Sequence, residues 1–127
     1  MGPGHGRWDR PLMLRGEIYA VDLDPAVGSE ANKQRPAVIV SNDAVNVTAA
    51  RLGRGVVTVV PITSNVRRVY AFQVRLPAAE TSLARDSKAQ AEQIRTVSVR
   101  RLGRYLGVVP GPLMHELDEA LRLHLAL

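Results

Sequence analysis

One short stretch concentrates the chemistry this chain can offer: Gln34-Arg35-Pro36-Ala37-Val38-Ile39-Val40-Ser41-Asn42. A guanidinium and a proline stand directly before an uninterrupted apolar run. The run is too short for a helix of ordinary length and is rich in β-branched residues. It reads as a buried strand with an arginine held at its mouth. An arginine there is well placed to fork onto phosphate oxygens; as a plain surface cation it would do nothing more. Other reactive residue types are sparse. The three histidines are His5, His115 and His124, and no two of them make a pair suited to general acid–base work. There is no cysteine, so disulfides and thiolate metal sites are excluded, which fits a reducing cytoplasm. Asp22 and Asp24 are two apart and would share one side of a strand, as a Mg²⁺ site could use. A strand-end aspartate before Pro25 is more simply turn chemistry, and no metal or other cofactor is expected.

The elements that must hold these residues come from 127 residues, a length that suits one compact domain. Apolar residues make up 46%, but the aromatics are only Trp8, Tyr19, Tyr70, Phe72 and Tyr105, so Val, Leu, Ile and Ala must form the core. The aromatics look mostly core-facing. No apolar stretch approaches the ~20 residues that span a bilayer, and residues 1–12 lack the apolar core of a signal peptide. A cytoplasmic protein without membrane contact is the expectation. The formal charge is +5, from 17 basic and 12 acidic residues. Nearly all the cations are arginines, in clusters at Arg51 and Arg54, at Arg67 and Arg68, and at Arg95, Arg100, Arg101 and Arg104. That pattern favours a polyanionic partner.

Residues 1–12 are rich in Gly and Pro without periodicity and read as a flexible tail, with a single domain over 13–127 and Met13 a candidate start. Strands are predicted over Gly16 to Leu23, Pro36 to Ser41, Val56 to Val60, Val69 to Leu76, Ser87 to Arg95 and Tyr105 to Val109. A long polar loop spans Asp24 to Lys33, and another runs from the fourth strand to about Arg85. Asn42-Asp43 can start a short helical turn to about Ala49. Thr96 or Ser98 can cap another over Val99 to Leu102. Gly111-Pro112 opens the clearest helix, with Leu113, Leu117, Ala120, Leu121 and Leu125 on one apolar face. Short strands followed by a terminal helix give a mainly β (α+β) fold, a small twisted antiparallel sheet or barrel packed by one helix.

An ordered series of blocks resembles the MazF/PemK family of toxin endoribonucleases over about Arg15 to Leu125. The blocks are Arg15-Gly16-Glu17-Ile18-Tyr19 with Asp22-Leu23-Asp24-Pro25, Gly28-Ser29-Glu30, Arg35-Pro36-Ala37-Val38 with Ser41-Asn42-Asp43, Val59-Val60-Pro61-Ile62-Thr63-Ser64, Ala91-Glu92-Gln93-Ile94-Arg95-Thr96, and Leu117-Asp118-Glu119-Ala120-Leu121. Arg51-Leu52-Gly53-Arg54-Gly55 is similar to actinobacterial-type members.

The resemblance implies a small SH3-like antiparallel barrel with a C-terminal helix, also seen in gyrase-poisoning toxins of the CcdB type. It implies a homodimer with a groove across the interface, and a cognate antitoxin whose disordered acidic tail fills that groove. The implied activity is metal-independent cleavage of single-stranded RNA at a short sequence, in mRNA, tRNA or rRNA. Attack by the 2′-OH would leave a 2′,3′-cyclic phosphate and a 5′-OH, blocking translation and growth. Arg35 and Thr63 match the family's catalytic arginine and threonine. Glu30, Lys33, Gln34, Ser64, Asn65, Arg68, Glu92, Gln93 and Arg95 become expected RNA contacts. Arg67 is a further candidate for phosphate. A guanidinium gives up its proton so reluctantly that proton abstraction by Arg35 is costly, so charge stabilisation is the expected role. Two other readings stand beside this one. One is a toxin on the same barrel that poisons a topoisomerase without cutting RNA. The other is a regulatory nucleic-acid-binding barrel, which would normally expose aromatics for base stacking.

Overall fold

The computed structural model describes residues 13–23 and 34–127. The predicted tail over 1–12 and the loop with Asp24, Glu30 and Lys33 lie outside the described residues. Seven strands form a mainly antiparallel sheet: β1 (Glu17–Asp22), β2 (Gln34–Ile39), β3 (Val56–Thr63), β4 (Gln73–Leu76), β5 (Ser87–Gln90), β6 (Arg95–Ser98) and β7 (Leu102–Val108). Among the described residues three α-helices accompany them: α1 (Asp43–Leu52), α2 (Ala78–Thr81) and α3 (Gly111–Leu125). The strand order is β4-β5-β3-β2-β1-β7, with β6 also on β3. This is the mainly β architecture with a C-terminal helix that the sequence predicts.

The inner strands are buried on both faces, which is why they read as continuous apolar runs rather than alternating ones. Along β2 and just beyond it, Val38 and Val40 enter one core with Val60, Ile62, Val74, Leu76 and the α3 residues Met114, Leu117, Ala120 and Leu121. Ala37 and Ile39 enter a second core with Tyr19, Val21, Val57, Val59, Val97 and Ala49 of α1. The helix ends are chemically determined. The Asn42 side chain accepts from the Val45 N–H at 2.9 Å, and Gly53 closes α1 in the left-handed conformation. Pro112 sits in the first turn of α3.

Two prolines shape the middle of the sheet. Neither has an N–H to give to a ladder. The β2–β3 ladder ends at Ala37 opposite Pro61, one residue short of Pro36. Beyond that pair the strands take different partners: Pro36, Arg35 and Gln34 stay on β1, whereas Ile62 and Thr63 pair with β5. On the other side of β3, pairing with β6 runs from Val56 to Val59 and resumes with β5 at Ile62. The 3₁₀ turn Ala91–Gln93 spans the break at Pro61.

That break corrects the single strand expected over Ser87 to Arg95, which is β5, a 3₁₀ turn and the start of β6. The strand expected over Val69 to Leu76 is also shorter, because β4 starts at Gln73. The alternating Tyr70 and Phe72 stack on each other instead, with ring centroids 5.3 Å apart and planes 3° apart. Nor are the aromatics mostly core-facing, since Tyr70 and Tyr105 are 44% and 42% exposed. The loop expected before Arg85 contains α2. The turn over Val99–Arg101 is 3₁₀, and the Ser98 hydroxyl accepts the Arg100 N–H at 3.2 Å, so Ser98 rather than Thr96 is the cap.

Two contacts fix how the pieces meet. Arg15 donates from Nε to the Val40 carbonyl at 2.8 Å and from its terminal nitrogen to Asp118 at 2.6 Å, joining β2 to α3. At Gly107, β7 passes so close to α2 that a Cβ would lie 2.0 Å from the Thr81 carbonyl oxygen.

Candidate active site

Arg35 lies near the free end of β2, exposed and opposite Val21 of β1. Thr63 is the last residue of β3, half-buried and opposite Lys88 of β5. The β2–β3 register pairs Ile39 with Val59 and Ala37 with Pro61. Continued by two residues, it sets Arg35 opposite Thr63. Residues directly opposite across an antiparallel pair project to the same face, so a guanidinium and a hydroxyl flank the opening where the ladder stops.

The Thr63 hydroxyl oxygen accepts the Asn65 N–H at 3.2 Å, and the Asn65 side-chain oxygen accepts the Arg67 N–H at 3.2 Å. These two local bonds shape the chain as it leaves β3. Because Thr63 is used there as an acceptor, its own proton is available to donate to an anion.

The segment from Ser64 to Phe72 then folds back over β5. Lys88 donates from Nζ to the Arg68 carbonyl at 2.6 Å. Gln73 accepts the Tyr70 N–H at 3.2 Å, and its amide nitrogen donates to Glu92 at 2.9 Å. The other Glu92 oxygen is buried without a hydrogen-bond partner among the described residues. It is an acceptor held in place and not used by the fold.

Of the expected contacts, the structure gathers Arg35, Thr63, Ser64 and Asn65 at the open end of β2 and β3. Gln34, exposed, follows Arg35 on β2 opposite Asp22. Arg68 is exposed, but its guanidinium is occupied by Tyr70, 3.2 Å from the phenol oxygen and 5.5 Å from the ring centroid. Gln93 is exposed on the 3₁₀ turn beside Glu92. Arg95 pairs with Val59, on the same face as Thr63 but four residues along β3, or about 13 Å at strand spacing. It stands apart from the others. Glu30 and Lys33 lie outside the described residues. His115 and His124 are exposed on α3. Among the described residues no three His, Asp or Glu side chains come together as a metal site.

Sequence reasoning missed Lys88, Gln73 and Tyr70. The signal was present for Lys88, because a strand over Ser87–Gln90 must turn alternate residues to one face, and Lys88 and Gln90 share it. Their burial was not legible, since it depends on the returning Ser64–Phe72 segment.

A family model described as PemK-like, MazF-like toxin of type II toxin-antitoxin system matches residues 14–125. Endoribonuclease MazF9 of Mycobacterium tuberculosis (strain ATCC 25618 / H37Rv) is 63% identical over 116 residues, 91% of this chain and 98% of that protein. Endoribonuclease EndoA of Bacillus subtilis (strain 168) is 33% identical over 117 residues, 91% of this chain and 97% of its own. A mycobacterial endoribonuclease solved in complex with its cognate antitoxin superimposes with a TM-score of 0.69 at 30% identity, covering 90% of this chain and 95% of that one.

Proposed function

Since this chain belongs to the PemK-like, MazF-like toxins of type II toxin–antitoxin systems, we propose that it cleaves single-stranded RNA at the opening between Arg35 and Thr63, without a metal ion. It is an endoribonuclease, and its toxicity follows from loss of RNA. The observation that supports this site is the β2–β3 register, which, continued two residues past Ala37 and Pro61, brings the Arg35 guanidinium opposite a Thr63 hydroxyl free to donate its proton.

RNA brings its own nucleophile. The 2′-OH gives up its proton to solvent as its oxygen attacks the neighbouring phosphorus, the bond to the 5′ oxygen breaks, and that oxygen takes a proton from solvent, leaving a 2′,3′-cyclic phosphate and a 5′-OH. The protein's task is to align these atoms and to stabilise the extra negative charge on the phosphorane. Arg35 donates two hydrogen bonds to its equatorial oxygens, in the fork geometry that a guanidinium offers, and Thr63 donates one. Arg35 acts as a cation and not as a base, because a guanidinium has donors and no acceptor. Its charge also stabilises the negative charge that builds on the departing 5′ oxygen.

Ser64, Asn65 and Glu92 hydrogen-bond to bases, whose edges are open in a single strand. Gln93 and Gln34 extend that reading surface. Arg68 and Arg95 meet phosphates, and Glu30 and Lys33 act from the loop ahead of Arg35. A homodimer places a groove across two copies of this face, and a cognate antitoxin with an acidic tail fills it when the toxin is silent. The net charge of +5 suits both ligands. No helix among the described residues is long and apolar enough to cross a membrane, and cytoplasmic action is proposed.

The test is incubation of the purified chain with single-stranded RNA in EDTA, followed by mapping of the new 5′ ends. Cleavage at a recurrent short sequence, with 5′-OH ends, is the expected result. An intact RNA pool, with Arg35→Ala behaving as the unaltered chain, would instead support a toxin that acts by binding.

A further inference from the structure

Only two of the 17 basic residues are lysines, Lys33 and Lys88. Lys88 is 8% exposed. Its ammonium makes one hydrogen bond, to the Arg68 carbonyl at 2.6 Å, and lies 5.9 Å from the centroid of the Tyr70 ring. Among the described residues no carboxylate pairs with it. A buried ammonium without a counter-charge is costly, and an apolar side chain would fill the same space more stably. A site that receives an anion explains why the charge is there.

The register says which anion. Lys88 pairs with Thr63 on one side and with Arg75 of β4 on the other. All three therefore project to one face and form a row at right angles to the strands. Arg35 extends the row across the open end of the β2–β3 ladder. Lys88 is thus one strand spacing, about 4.8 Å, from the backbone of Thr63, and Arg75 is one spacing further. Arg75 is half-exposed and bonds to Asp86 at 3.3 Å, an exposed pair that an incoming phosphate can displace at little cost.

We propose that this row is a phosphate track: Lys88 binds the phosphate that flanks the scissile group on the β5 side, and Arg75 binds the next. The polynucleotide then crosses the strands of the sheet rather than running along them. Arg68 O and the Tyr70 ring hold the ammonium in place and leave N–H groups for phosphate oxygens. This inference rests on the ribonuclease reading of Arg35 and Thr63.

The experiment compares the unaltered chain with Lys88→Met, Lys88→Arg and Arg75→Gln. The probe is a 2′-O-methyl copy of an RNA that the unaltered chain cuts, and affinity is measured against salt concentration. For a single strand, each lost phosphate contact lowers the slope of log affinity against log salt by about 0.7. Lys88→Met and Arg75→Gln are each expected to show that decrease, and Lys88→Arg to restore the slope. A merely structural lysine would change affinity or melting temperature and leave the slope alone. In the unaltered chain labelled with ¹⁵N-lysine, the Lys88 ammonium signal is expected to move as the probe binds. That readout decides the matter should Lys88→Met fail to fold. An unchanged slope in folded Lys88→Met, or an unmoved Lys88 signal at saturation, would overturn the track while leaving the ribonuclease intact. An unaltered chain that cuts no RNA would overturn both.

Discussion

Arg35 and Thr63 stand two residues past Ala37 and Pro61, the last register partners of β2 and β3, at the end where that ladder has stopped. Each is anchored on its far side, Arg35 to β1 and Thr63 to β5. The two residues are thus held by different neighbours, on strands whose shared register ends two residues earlier.

Removing either group should therefore take away chemistry and leave the fold. Arg35→Ala and Thr63→Ala are each expected to lower RNA cleavage by about 10²–10³-fold, the usual effect of losing one donor to a developing oxyanion. Thr63→Ser should retain most activity, because the hydroxyl is kept. Arg35→Lys should restore only part, because a point charge does not fork. Single-turnover rates, with circular dichroism to confirm folding, check this. A folded Arg35→Ala with undiminished cleavage would remove Arg35 from the mechanism.

Gln73 fastens the Tyr70 backbone to Glu92 through both ends of its amide. Gln73→Glu puts a second carboxylate against Glu92 and is expected to destabilise the protein by about 1–3 kcal/mol, the cost of an unmet buried polar group. Adding Glu92→Gln exchanges donor and acceptor across the pair and should recover most of the loss. Urea denaturation of the single and double variants gives the coupling. No recovery in the double variant would mean that the bond is incidental.

The Gly107 contact predicts a purely steric lesion. Gly107→Ala sets a methyl 2.0 Å from the Thr81 carbonyl oxygen, so β7 or α2 must move. A loss of about 1–3 kcal/mol is expected, as for overpacking elsewhere. Gly111→Ala, with open space around its Cβ, should be close to neutral. Denaturation midpoints for the two variants make the comparison.

Tyr19 makes stability fall in strong alkali. Burial, then the hydrogen bond to Glu17 and its charge, hold the phenol well above its ordinary range. Below about pH 10 the phenol is neutral folded and unfolded, and its contribution is complete. Above that, the unfolded chain ionises while the folded one does not, so stability falls by about 1.4 kcal/mol per pH unit until the folded phenol also titrates. Tyr19→Phe should flatten this part of the profile, and its denaturation curves between pH 9 and 11 test it against the unaltered chain.

What was legible in the sequence was local. The β-branched runs, Asn42 before α1 and Pro112 within α3 act over a few residues, and each element formed where its signal lies. The errors have distant causes. Ser87 to Arg95 has the composition of one strand and is broken because Pro61, on another strand, cannot sustain the ladder beside it. Tyr70 and Phe72 alternate as a strand would, but their rings satisfy each other outside the sheet. Arg35 could be read as a phosphate holder from its place before an apolar run, and Thr63 gained meaning from the family resemblance. Their facing positions depend on the pairing of two strands. Lys88 was overlooked because its burial is created by a loop that folds back from Thr63.

The proline beside Arg35 also bears on turnover. Pro36 cannot supply the hydrogen bond that would zip β2 to β3 past Ala37, so that step of the ladder cannot close. On the proposed mechanism, an arriving RNA strand would displace no β2–β3 backbone bond there, and a departing product would leave none to be remade. The gap is written into the covalent chain at Pro36, so on the proposed function a silencing partner would act by occupying the opening rather than by prising it apart or holding it shut.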